Sequence, residues 1–199
     1  IVYGEVGRSV QGERHAPLAT KPVLSDAEMA AYARQVTALG EFCAEQGMPL
    51  VYHHHMGAVV MYESELDAFM KHSGEGIPLL LDAGHLHFAR GDVLRAIDNH
   101  HARIRHVHTK DIRQSVLDNL DWSKDSFLDA VIKGAFTVPG DGSLDFGAIV
   151  QRLADHGYEG WFVVEAEQDP KANPPLRMAQ VGHAELMRVM TAAGYEVVA

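Results

Sequence analysis

Thirteen histidines stand out in this sequence, and seven of them fall in three short stretches: His53, His54 and His55; His85 and His87; His106 and His108. Each stretch ends or follows an apolar run. Val51-Tyr52 precedes the first, Leu79-Leu80-Leu81-Asp82 the second, and Ile104 to Val107 leads into the third. A further run, Trp161 to Val164, ends in Glu165-Ala166-Glu167. Imidazole and carboxylate together are a ligand set for Mn, Co, Zn or Fe, whereas carboxylates alone suit Mg or Ca. Mixed ligands from different strands, with no cysteine among them, fit a catalytic centre with open positions better than a structural zinc. A strand sends alternate side chains to the same side, so His53 and His55 should project together, as should His106 and His108. One histidine within a strand is most often a satisfied core residue. Four successive strand ends carrying His, Asp or Glu call for another explanation.

The elements that must hold these ends together follow from periodicity. Ile1–Tyr3 reads as the tail of a strand. Ser25-Asp26-Ala27-Glu28 has capping-box spacing and should start a helix near Asp26, with an apolar face of Met29, Tyr32, Val36, Leu39, Phe42 and Cys43 running to about Gln46. Then come a strand over 49–52, a helix over 63–72, a strand over 78–81, a helix over 93–100 and a strand over 104–108. An irregular helical insertion should cover about 116–133, followed by a helix over 146–156, a strand over 161–164 and a terminal helix over 175–192. Runs such as Leu79-Leu80-Leu81 and Phe162-Val163-Val164 are apolar on both faces, as in parallel sheets. Helices between such strands make right-handed βαβ units, and the class is α/β. A (βα)₈ barrel and an open doubly wound sheet both remain, and both gather chemistry at the C-terminal strand ends. No G-x-G-x-x-G and no P-loop follows any strand, which weakens the nucleotide-binding sheet. A full barrel takes about 250 residues, so in a 199-residue chain with five strands roughly three N-terminal units are expected to be absent. The chain reads as a single domain, 1–199, the C-terminal part of such a barrel.

Composition closes off other classes. Cys43 is the lone cysteine, so no disulfide scaffold forms within the chain. No apolar run approaches the roughly 18 residues of a membrane span. With 17 Lys+Arg against 27 Asp+Glu the net charge is −10, unsuited to gripping a nucleic-acid backbone. A cytoplasmic setting is the simplest expectation, and a homo-oligomer stays open. Smaller candidates are Glu5, just past the first strand, and Asp141 in the turn Pro139-Gly140-Asp141-Gly142, each as a residue touching substrate.

Six stretches together carry a resemblance: Val2-Tyr3-Gly4-Glu5, Tyr52-His53-His54-His55-Met56-Gly57, Leu81-Asp82-Ala83-Gly84-His85, His106-Val107-His108-Thr109-Lys110-Asp111, Phe136-Thr137-Val138-Pro139-Gly140-Asp141-Gly142 and Val164-Glu165-Ala166-Glu167-Gln168-Asp169-Pro170. They resemble the myo-inosose-2 dehydratases of bacterial inositol catabolism, within the xylose isomerase-like TIM-barrel superfamily. The likeness runs along nearly the whole chain and matches roughly the C-terminal two-thirds of such an enzyme. It implies a divalent metal, Mn or Co, held by Asp82, His108 and Glu165. His53 stands where isomerases of the superfamily have a glutamate, so it, or a water, fills the fourth place. The resemblance further implies His85 or His55 as base, Lys110 as proton donor or oxyanion partner, and Asp111 behind Lys110 or His108. Glu5, Asp111, Asp141 and Glu167 are then expected to face a small polyol ketone. The implied reaction is elimination of water from 2-keto-myo-inositol. A ketose isomerase or epimerase on the same site is the nearest alternative. A phosphodiesterase acting at abasic DNA and an inactive fragment follow.

Overall fold

The computed structural model describes residues 1–198. In chain order its first half comprises β1 (Val2–Gly4), α1 (Asp26–Glu45), β2 (Val51–His53), α2 (Glu63–His72), β3 (Leu79–Asp82), α3 (Ala83–Phe88), α4 (Val93–His100) and β4 (Ile104–His108). The second half comprises β5 (Asp111–Ile112), α5 (Gln114–Leu117), α6 (Phe127–Ile132), β6 (Phe136–Thr137), α7 (Phe146–Asp155), β7 (Trp161–Val163) and α8 (Pro175–Ala192). Five strands form one parallel sheet in the order β1-β2-β3-β4-β7. Among the described residues β1 and β7 are its two edges and do not pair with each other. The register sets Gly4 beside His53, His53 beside Leu80, Asp82 beside His108, and His108 beside Val163. The ionisable strand ends therefore lie side by side.

Local sequence accounts for most boundaries. Ser25 and Glu28 close a capping box at the start of α1, and Gln46 then Gly47 at φ +75° end it. Asp92 and Asp145 cap α4 and α7. The buried face of α1 differs from the expected one. It runs Met29, Tyr32, Ala33, Val36 and Gly40, while Leu39 and Phe42 are 39% and 60% exposed. The reason lies at Gly40, where a Cβ would stand 2.3 Å from the Gly76 carbonyl oxygen. That close approach rotates α1 toward its glycine side and turns Leu39 and Phe42 outward.

Two apolar clusters result. In the first, Tyr52, Leu79, Leu81, Ile104 and Val107 of the strands pack against Leu66, Phe69, Ile97 and Ile149 of the outer helices. Tyr52 stacks on Phe69 with ring centroids 4.0 Å apart, and its hydroxyl meets that of Tyr32 at 3.2 Å. The second cluster lies among the segments beyond the strand ends. It contains Met56, Met61, Phe88, Ile112, Leu117, Phe127, Ala130 and Phe136. Part of it is built on the short antiparallel pair β5–β6, and α3 starts directly after Asp82. Neither the β5–β6 pair nor α3 shows in the periodicity of so short a segment.

Phe69 is fully buried at the junction of α1, α2 and β2. Phe69→Ala should destabilise the fold by about 3–5 kcal/mol, read from denaturant unfolding. A loss below about 1 kcal/mol would mean that this junction is not the packed centre described.

Candidate active site

The strand ends bring together His53 from β2, Asp82 from β3, His108 from β4 and Glu165, two residues past β7. One ligand atom of each lies within 4.8 Å of all the others. His108 Nδ1 is 2.6 Å from Glu165 Oε2 and 3.4 Å from Asp82 Oδ2, and His53 Nε2 is 3.7 Å from that same Asp82 oxygen. Despite this closeness Asp82 Oδ2, His108 Nδ1 and Glu165 Oε2 are buried and make no hydrogen bond. These atoms converge on one place, and buried polar atoms demand a partner there. Donors about 2.0–2.2 Å from a common ion stand roughly 3–3.5 Å from each other, close to the spacing seen. These residues can hold a divalent cation.

The four protonation states differ, and His108 alone must give up a proton to bind an ion. Burial holds His53 down at about 3, against the pull of Asp82, so it is neutral at pH 7. Burial raises Asp82, but the Lys110 ammonium together with His85, His108 and His53 outweighs it and keeps the carboxyl well below the usual range. For His108 burial is again opposed, here by Asp82 and Glu165, which lift it to about 9. Glu165 lies at about 2, where His108 and Lys110 overcome its own burial.

Asp82 is aimed from two sides. Its Oδ1 accepts the His85 backbone N–H at 2.8 Å, and its own N–H donates to His54 Nε2 at 3.1 Å. His54 was not among the expected site residues. It is 1% exposed on the opposite side of β2 from His53, neutral because burial lowers it to about 4. The signal was present in the sequence as the middle histidine of three. Its role depends on β3 lying alongside, which the spacing does not reveal.

Beside the quartet lies a second group, His55, His85 and Glu167, whose ligand atoms also fall within 4.8 Å of one another. His53 and His55 do project together, their rings 5.4 Å apart. His55 Nδ1 lies 2.9 Å from the Met56 carbonyl oxygen, an acceptor, so in the neutral ring the proton sits on Nδ1 and the lone pair on Nε2. Burial, His55 and Lys110 hold His85 well below the imidazole range. Lys110 is fully buried between the two groups, 2.8 Å from His85 Nε2, 3.1 Å from Glu167 Oε2 and 3.6 Å from both Asp82 Oδ2 and Glu165 Oε2. Phe127 and Phe136 close the pocket, with ring centroids 5.3 Å from His55 and His85 respectively.

Three further expected residues are held by protein groups. Asp111 is 1% exposed, and its Oδ1 accepts the backbone N–H groups of Ile112, Ser143 and Leu144, tying two loops together rather than orienting Lys110 or His108. Asp141 is held by Arg113 at 2.5 Å and by the Thr137 hydroxyl at 2.6 Å. Glu5 accepts from the Tyr3 hydroxyl and from the N–H groups of Gly7 and Arg8, within its own loop.

Two outcomes follow for metal binding. Below pH 9 His108 carries a proton that an incoming ion must displace. Zn²⁺ affinity should therefore rise roughly tenfold per pH unit from pH 6 to 8, with one proton released per ion by calorimetry in buffers of different ionisation enthalpy. A pH-independent affinity would remove His108 from the ligands. His54→Phe keeps the volume but removes the acceptor behind Asp82. It should weaken Zn²⁺ by about 10–100-fold, and unchanged affinity would show that Asp82 is aimed without it.

Comparison with known proteins agrees with this architecture. The rhizopine catabolism protein MocC of Rhizobium meliloti is 44% identical over 197 residues, covering 99% of this chain and 61% of the relative. An inosose dehydratase of Geobacillus thermodenitrificans is 47% identical over 181 residues, with coverages of 90% and 61%. The chain thus spans about 61% of the length of these curated relatives. Among solved structures, an IOLI protein with a binding zinc atom superposes with a TM-score of 0.64 at 16% identity, over 87% of this chain and 60% of the other. The family model for the xylose isomerase-like TIM barrel matches residues 6–191. That match takes in every strand from β2 to β7 together with the whole metal-ready quartet, and the chain belongs to the xylose isomerase-like TIM barrel family.

Proposed function

We propose that the protein is a metal-dependent hydro-lyase that eliminates water from a cyclic polyol ketone, 2-keto-myo-inositol (inosose), in inositol catabolism. The observation that carries this reading is the pairing of a free imidazole lone pair with a buried ammonium in one pocket. His55 Nε2 supplies the first, Lys110 Nζ the second, and both lie beside the metal-ready quartet. The inosose dehydratases among the relatives point to the same chemistry.

Loss of a β-hydroxyl requires removing the proton between it and the carbonyl and protonating the departing oxygen. His55 Nε2 takes the carbon-bound proton, and the imidazolium so formed faces Glu167 Oε1 at 3.4 Å. Lys110 gives a proton to the leaving hydroxyl, which departs as water, and His85 at 2.8 Å holds that ammonium in place. The proton gained by His55 and the one lost by Lys110 balance through solvent before the next turnover. Asp82, His108, Glu165 and His53 would hold the divalent ion. When bound, Mn or Co offsets the negative charge that develops on the ketone oxygen. The Phe127 and Phe136 walls keep water from the reacting carbons. An isomerase or epimerase weighs less, because His53 stands where those enzymes carry a glutamate. A cytoplasmic setting belongs to this reading, as does a small-molecule substrate rather than nucleic acid, the latter supported by the net charge of −10. So does a single domain forming the C-terminal part of the barrel.

The test is an assay with 2-keto-myo-inositol, with and without Mn²⁺ or Co²⁺, following the dione product by its ultraviolet absorbance. Product should form only with metal. His55→Ala with metal retained should lower turnover by about 10²–10⁴-fold. No product with one equivalent bound would move the assignment to ketose isomerisation or epimerisation, and wild-type turnover by the variant would remove His55 from the chemistry.

A further inference from the structure

The group His55, His85 and Glu167 has the composition and spacing of a cation site in its own right, adjacent to the quartet. Its ligand atoms converge on one place, which the Lys110 ammonium borders. Glu167 Oε2 is buried without a hydrogen bond, and the lone pair of His55 Nε2 faces Glu167 Oε1 at 3.4 Å, acceptor against acceptor. A positive charge belongs there. The structure already supplies one in the Lys110 ammonium, which contacts His85 and Glu167 and reaches the Asp82 and Glu165 oxygens at 3.6 Å each.

We propose that Lys110 stands in the place of a second divalent ion, so that its side chain is what keeps this centre mononuclear. This rests on the quartet holding a divalent metal and not on the identity of the substrate. Two further observations support it. The first is charge. Asp82, Glu165 and Glu167 contribute three negative charges, which one divalent ion and one ammonium together cancel. A second divalent ion would leave the pocket positive, by two charges with Lys110 in place and by one were it to withdraw. Withdrawal is blocked by burial, because a charge leaving compensated surroundings for an apolar wall is strongly disfavoured. The second is shape. A Cβ on Gly84 would stand 2.7 Å from Lys110 Cβ and 2.8 Å from Cγ, so the first turn of α3 admits the lysine stem only because residue 84 is glycine. The ammonium is also 5.7 Å from the centre of the Phe136 ring. The fold thus provides a dedicated channel for this one side chain.

Asp82 and Glu165, which belong to the quartet, also face the Lys110 nitrogen at 3.6 Å each, so the ammonium borders both ligand groups. The consequence is chemical. An ammonium can release a proton and recover it, which a second metal ion cannot do. Keeping the metal out also leaves His55 Nε2 with its lone pair. Removing Lys110 should turn a centre built for one Lewis acid and one proton donor into a dinuclear site.

The experiment is metal stoichiometry with Mn²⁺ alone, read by elemental analysis after gel filtration and by electron paramagnetic resonance, on wild type, Lys110→Ala and Lys110→Gln. Wild type should retain one ion per chain with an uncoupled spectrum. Lys110→Ala, or Lys110→Gln should the alanine variant fail to fold, should retain two with exchange coupling, and adding His85→Ala should return it to one. Two ions in wild type, or one in every folded Lys110 variant, overturns the inference while leaving the quartet intact. No ion in wild type instead removes the metal reading of the quartet, and the inference with it.

Discussion

The arrangement of buried charge around Lys110 is the constraint on which the rest of the site depends. Asp82 and Lys110 are both fully inaccessible, and an interior carboxylate or ammonium is tolerated only when paired and hydrogen-bonded. Lys110 therefore helps decide where Asp82 and Glu165 can stay ionised. It holds Asp82 well below the usual carboxylate range, and those carboxylates in turn keep Lys110 charged against its burial. The glycine at 84, the parallel register of Asp82 with His108 and the run of chain after β7 all serve this one balance.

Around the charges the protein builds an apolar shell from segments that lie outside the main sheet. Met56, Phe88, Phe127 and Phe136 belong to a cluster separate from the sheet-and-helix core. Excluding water there strengthens every electrostatic contact in the pocket, because the effective dielectric falls. The shell also needs its own anchoring. Asp111 and Asp141 provide it, the first by accepting backbone N–H groups from the 143–144 loop and the second by gripping Arg113 and Thr137. Carboxylates near the strand ends are thus divided between those that face Lys110 and those that hold the surrounding loops. Residue type alone does not separate the two.

Particular elements show how far the residues could be read in one dimension. The capping box at Ser25, the apolar run at 79–81 and the alternation of His53 and His55 are local properties, and they appear in the structure as expected. The resemblance carried Asp82, His108, Glu165 and His53 to one cluster. The outward turn of Leu39 and Phe42 escaped, because it depends on Gly40 meeting the Gly76 backbone from another part of the chain. His54 escaped for a similar reason, since its partner is a backbone N–H on the neighbouring strand.

By itself, then, the sequence determined the class of fold and the strand ends that carry imidazole and carboxylate side chains. Those follow from periodicity, side-chain alternation and ligand type, which act over a few residues. Only the tertiary structure decided which carboxylates face the pocket, which imidazole keeps a free lone pair, and that Lys110 lies between two ligand groups. Each of these depends on register between strands and on desolvation by residues distant in the chain. Burial changes the charge state of a histidine or carboxylate by amounts that no spacing along the backbone encodes.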